Sequence, residues 1–186
     1  MAADMKRRGL LALIGAVLIS ACATAPATDP APELAAPDYA RVFLVRHGEK
    51  EKGDDPALTA DGAVRAKALA ARLSGEGVTE IWSTRTNRTE QTAAPLAAEL
   101  GLPVQTYDAS TLPAFASWLQ ASPGIKLVVG HSNTTDALAA LLGADPGPPI
   151  AEATEFDRLY VIELGEFGAT ASRIERYGAP STQGSE

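Results

Sequence analysis

The chain has a single cysteine, Cys22, in 186 residues, so no disulfide can form within it. It has only two histidines, His47 and His131, and aromatics make up 5% of it, so alanine and the aliphatic residues must supply the core. A positive balance is also missing: the net charge is −7, and setting aside residues 1–21 removes Lys6, Arg7, Arg8 and Asp4, leaving −9. That acidity argues against nucleic-acid binding, which depends on clustered Lys and Arg. No P-loop glycine pattern, dinucleotide fingerprint, HxH or HExxH spacing occurs, and there is no internal repeat.

What is present begins with Lys6, Arg7 and Arg8, followed by an apolar run, Gly9 to Ile19, too short to cross a bilayer comfortably. "ISAC" closes it with small residues, which reads as an export signal over 1–21. The segment resembles a bacterial lipoprotein leader, which implies lipidation at Cys22 and a membrane anchor facing the periplasm; Ala23 after the cysteine favours the outer membrane. Residues 22–38, "CATAPATDPAPELAAPD", are rich in Pro and Ala and read as a tether. One domain is expected over 39–177, since about 100 to 200 residues is the usual domain size. The tail 178–186 is expected to fray.

Within the domain, apolar runs and helical periods alternate. "RVFLV" (41–45) and "KLVVG" (126–130) read as strands buried on both faces, "VTEIWST" (78–84) and "LPVQTY" (102–107) as further strands. Thr59 is a candidate N-cap for a helix carrying Ala66, Leu69, Ala70 and Leu73 and ending by Gly75 and Gly77. A second helix runs through Leu96 to Gly101, with Pro95 either in its first turn or kinking it. A third begins at "LPAF" with proline at its start. Ser132, Asn133 or Thr134 caps a fourth, and 158–177 form a hairpin or edge pair. The expectation is an α/β fold, a three-layer αβα sandwich with a mostly parallel sheet. Ligands of such sheets sit outside the carboxyl ends of the strands.

Both histidines fall at that edge, in "FLVRHG" and "LVVGHS". Arg46 adjoins the first, and Arg88 lies in "STRTNRTEQTA", after the second strand and at a helix start; Arg85 could equally be a solvated loop charge. Guanidinium forks, imidazoles and helix N-termini converging on one edge suit a dianionic oxyanion, phosphate above all. Arginines so placed repel a cation, so no metal is expected.

At "VRHGE", "LTADGAVRAKALAARL", "STRTNRTEQTA" and "VVGHSNT", in that order, the chain resembles the histidine phosphatase superfamily, with a phosphoglycerate mutase-like fold and of the small capless, SixA-like type. The resemblance implies His47 as nucleophile, Arg46 and Arg88 as phosphate ligands, and His131 completing the pocket, with no cofactor. Gly48 permits close backbone approach beside the nucleophile. The proton donor is open: Asp108 in "YDAS" is the first candidate, Glu49 the second, and a small relative lacking any acid is the third case. The implied activity is hydrolysis of a small phosphomonoester or phosphohistidine through a phosphohistidine intermediate. The alternative is a non-catalytic module binding phosphorylated envelope components.

Overall fold

The computed structural model describes residues 39–166 and 168–181. The export signal, Cys22, the tether and the end of the tail lie outside these residues.

Among the described residues, six strands form one sheet in the order β3-β2-β4-β1-β5-β6. β1 (Ala40–Arg46) and β4 (Gly124–Gly130) lie side by side and parallel, as do β2 (Glu80–Ser83) with β4 and β3 (Val104–Thr106) with β2. β5 (Arg158–Gly165) runs antiparallel to β1, and β6 (Gly168–Arg176) antiparallel to β5, completing the expected hairpin. The fold is the expected α/β sandwich on a mixed, mostly parallel sheet.

β1 shows why its sequence is apolar throughout. Val42 and Leu44 pack into one cluster with Phe115, Leu119, Leu138 and Leu142, which come from α3 (Leu112–Ala121), α4 (Ser132–Leu141) and the residue just after α4. Phe43 and Val45 point the other way, to Leu69, Leu73 and Leu96 of α1 (Ala60–Leu73) and α2 (Asn87–Leu100). Each such leucine taken fully out of water contributes about 1.5–3 kcal/mol, so the central strands are the best-secured part of the sheet.

Thr59 caps α1 as expected, its hydroxyl accepting the Gly62 N–H at 3.1 Å. α1 stops at Leu73, ahead of the expected glycines. α2 runs through Pro95 and ends at Gly101, whose φ of 66° suits a residue without a side chain. Two expectations need correction. The residue capping α4 is His131 itself, because β4 passes into the helix with no spare loop residue. Residues 178–181 are tied down: Arg65 donates to the Tyr177 and Ala179 carbonyls at 3.2 and 2.9 Å. The Ser181 hydroxyl accepts from the Phe156 and Asp157 N–H groups at 2.8 and 3.1 Å.

Candidate active site

Strand register builds the site. Arg46 of β1 is aligned with Gly130 of β4, so the next residues, His47 and His131, leave the sheet together. The His47 N–H donates to the Gly130 carbonyl at 3.0 Å, and the two rings meet edge to face with centroids 5.5 Å apart. Gly130 must be glycine, since a Cβ there would stand 2.8 Å from the Tyr107 hydroxyl and 2.9 Å from that of Thr134. β2, on the other side of β4, brings Thr84 and then Arg88 to the same edge.

A cavity of about 440 Å³ opens there, lined by His47, Lys50, Arg88, His131, Ser132, Asn133 and Glu152. Ser132 and Asn133 begin α4, and a helix N-terminus favours an anion beside it. Arg46 lines an adjoining cavity with Glu49, Lys50, Glu152, Ala153 and Phe156. Its guanidinium lies 4.2 Å from the centre of the Phe156 ring, and Nη1 donates to the Glu155 carbonyl at 3.0 Å. Among the described residues, Nε of Arg46 and Nε of Arg88 are buried with no acceptor. A buried donor left unmet costs about 1–3 kcal/mol, a cost that an arriving oxyanion can offset.

The protonation states follow from the contacts. Nδ1 of His47 is 2.7 Å from the Gly48 carbonyl. A carbonyl only accepts, so Nδ1 carries the proton and Nε2 the lone pair. Burial, at 3% exposure, is the main cause that pushes the ring's pKa down to about 3, and Arg46, His131 and Arg88 lower it further against the Gly48 hydrogen bond. His131 is pushed down to about 4, by burial first and then by Arg88 and Arg46. Its Nδ1 faces Arg88 Nη2 at 3.3 Å and accepts from it, so Nε2 donates to the Thr84 hydroxyl at 2.9 Å. Burial pulls Arg46 down to about 10, which leaves it charged at neutral pH. The site therefore presents two neutral imidazoles between two guanidiniums.

Gly48 sits at a close crossing with Gly62, where a Cβ would stand 3.0 Å from the Gly62 carbonyl. Its N–H donates to the Thr92 hydroxyl at 3.0 Å, which in turn donates to the Arg88 carbonyl at 2.7 Å, locking the His47 loop to α2. The two carboxylates singled out in the sequence have other jobs. Asp108 is exposed and caps a 3₁₀ turn (Ala109–Thr111), accepting from the Ser110 N–H and hydroxyl at 2.8 and 2.7 Å. Those bonds hold its pKa below the usual carboxylate value, and it lines neither cavity. Glu49 is clasped by Arg65, with Nη2 to Oε1 at 2.6 Å and Nε to Oε2 at 2.9 Å. Arg85 is exposed.

Sequence reasoning missed Glu152, which lies in a Gly/Pro-rich stretch with no period to place it, and Thr84, which orients His131. Thr84 directly follows a strand at the functional edge, a position that could have flagged it. Among the described residues, no group of three or more His, Cys, Asp or Glu could hold a metal ion. The arginine forks make an anion the ligand that this donor set suits.

Residues 42–110 match the sequence model of the histidine phosphatase superfamily (branch 1). The match takes in Arg46, His47 and Arg88 and stops before His131. Among curated proteins, the "Probable phosphoglycerate mutase GpmB" of Yersinia enterocolitica is 39% identical over 74 residues, covering 36% of this chain and 34% of that protein. The protein of the same name from Serratia proteamaculans is 37% identical over 73 residues, 34% of each chain. The aligned region thus spans about a third of these relatives' length. Among solved structures, the protein histidine phosphatase SixA complexed with tungstate superposes with a TM-score of 0.60 at 22% identity, over 75% of this chain and 97% of that one. A mycobacterial glucosyl-3-phosphoglycerate phosphatase gives 0.56 at 17% identity, over 76% and 99%. These likenesses show the shared fold.

Proposed function

We propose that the protein is a metal-independent phosphatase that hydrolyses a small phosphomonoester through a phosphohistidine on His47. The observation that carries this reading is the commitment of His47 Nδ1 to the Gly48 carbonyl, which leaves an unprotonated Nε2 among Arg46, Arg88 and His131. Nε2 attacks phosphorus, the bond to the leaving oxygen breaks, and the oxygen departs with a proton. Water then attacks the phosphoenzyme, releasing inorganic phosphate and returning the electron pair to Nε2. Arg46 and Arg88 neutralise the phosphoryl oxygens throughout, where positioning and charge supply most of the catalysis. A dianion beside His131 raises its proton affinity, and protonation at Nδ1 turns that atom from Arg88's acceptor into a donor to the phosphoryl group. The match of residues 42–110 to the superfamily model and the tungstate held by the SixA structure support the same chemistry. The leader sequence supports an envelope location, with the domain anchored through a lipid on Cys22.

The test is turnover of an aryl phosphate by the purified protein with and without chelator, combined with acid-quench trapping of labelled phosphate. The reading requires chelator-resistant turnover and a label that His47→Ala abolishes. Phosphate binding without turnover would instead identify a ligand-binding module.

A further inference from the structure

We propose that Glu152 is the acid–base residue of this reaction, protonating the leaving oxygen and then activating water; the inference rests on the phosphatase reading above. Glu152 and Lys50 line both the cavity at the two imidazoles and the adjoining one at Arg46 and Phe156. Glu152 therefore stands where the phosphoryl pocket meets the space left for the rest of a substrate.

The turn that carries it is built onto the phosphate clamp. The Ala151 carbonyl accepts from the Thr154 and Glu155 N–H groups at 3.1 and 2.8 Å, closing the turn with Glu152 near its crest. The Ala151 N–H donates back to Glu155 Oε2 at 3.1 Å, and Arg158 fixes Glu155 with contacts of 2.7 and 2.9 Å. Arg46 Nη1 reaches the Ala151 and Glu155 carbonyls at 3.4 and 3.0 Å. The guanidinium assigned to the phosphate thus grips the carbonyls on either side of Glu152, and the Glu152 charge favours the protonated form of Arg46.

The other carboxylates around the site are engaged. Glu49 is held by Arg65, Glu155 by Arg158 and Arg176, and Asp55 by the Asn87 N–H at 2.8 Å and by Arg88 at 3.6 Å. Among the described residues Glu152 makes no ion pair. Arrival of a phosphoryl dianion raises the proton affinity of a carboxylate beside it, as like charge does. In the first step the Glu152 O–H passes to the leaving oxygen as the P–O bond breaks and the Nε2–P bond forms. In the second the carboxylate takes a proton from water as oxygen bonds to phosphorus and the N–P bond breaks, restoring both residues.

Leaving-group dependence tests this on the full chain, with p-nitrophenyl phosphate, whose phenolate departs unaided, and glycerol 2-phosphate, whose alkoxide does not. E152Q should lower kcat/KM on glycerol 2-phosphate by about 10²–10⁴-fold, the usual yield of a positioned acid, and leave kcat/KM on p-nitrophenyl phosphate within about threefold. It should also lengthen the lifetime of the trapped phosphoenzyme. An equal loss on both esters would mean that Glu152 acts only through its charge or the fold, and no loss on either would remove it from the reaction; both overturn the assignment. If the wild type traps no phosphate on His47, the phosphatase reading falls first, an outcome distinct from a working enzyme indifferent to E152Q.

Discussion

Gly62, in the first turn of α1, passes so close to Glu49 that a Cβ on it would stand 2.1 Å from the Glu49 carbonyl oxygen. The same approach puts a Cβ on Gly48 3.0 Å from the Gly62 carbonyl, so two glycines make one crossing of backbone beside His47. The Glu49 carbonyl accepts the Thr59 N–H at 2.9 Å and cannot retreat without uncapping α1. Gly62→Ala should therefore displace the His47 loop. The expected outcome is a destabilisation of about 1–3 kcal/mol, as for other overpacked sites, with a fall in kcat beyond what partial unfolding explains; thermal melts and kinetics on one preparation check it.

Arginine geometry should matter more than arginine charge. Arg46→Lys keeps the cation but loses the contacts to the Glu155 carbonyl and the Phe156 face. Vanadate affinity, read by calorimetry, should fall by about tenfold or more, and Arg88→Ala should weaken it at least as much, because Arg88 also supports His131.

The two imidazoles give a simple spectroscopic prediction, since the chain has no other histidine. With pKa values near 3 and 4, both rings should stay neutral in the folded protein from pH 8 down to pH 5, visible in ring-nitrogen chemical shifts. His47 should show the Nδ1–H tautomer.

Stability follows with a definite sign. An unfolded histidine titrates near 6.5, so between there and about pH 4 the unfolded chain binds protons that the folded one does not. Stability should be level with respect to these groups above pH 6.5 and fall as the pH drops through that window. Urea melts at pH 7.5, 6 and 5 check this, and His47→Asn should flatten the trend.

The end of the domain should also count. Ser181→Ala removes the acceptor that serves the Phe156 and Asp157 N–H groups, with an expected loss of about 1–3 kcal/mol for the donors left unmet. Because Phe156 lies against the Arg46 guanidinium, KM for an aryl phosphate should rise as well.

The site was legible where strand chemistry writes it. Val42 to Val45 had to be interior, and the polar Arg46 and His47 beyond them had to mark the strand's exit. The second histidine followed by the same reasoning, and the register of β1 against β4 brings the pair together. Asp108 misled because a carboxylate after a strand serves equally well as a turn cap, and sequence does not distinguish the two uses. Glu152 stayed hidden because its position depends on Arg46, more than a hundred residues earlier, gripping the Ala151 and Glu155 carbonyls. The tail looked free because its tethers, Arg65 and Asp157, lie far away in sequence.

β1 enters the sheet at Ala40 and delivers His47 at the opposite edge, about 20 Å away. A domain grafted to a sensor chip or display scaffold through its Tyr39 end thus keeps its mouth turned outward and open. Joined instead just after Ser181, whose hydroxyl braces the floor beneath Arg46, the same scaffold would crowd the doorway it was meant to expose.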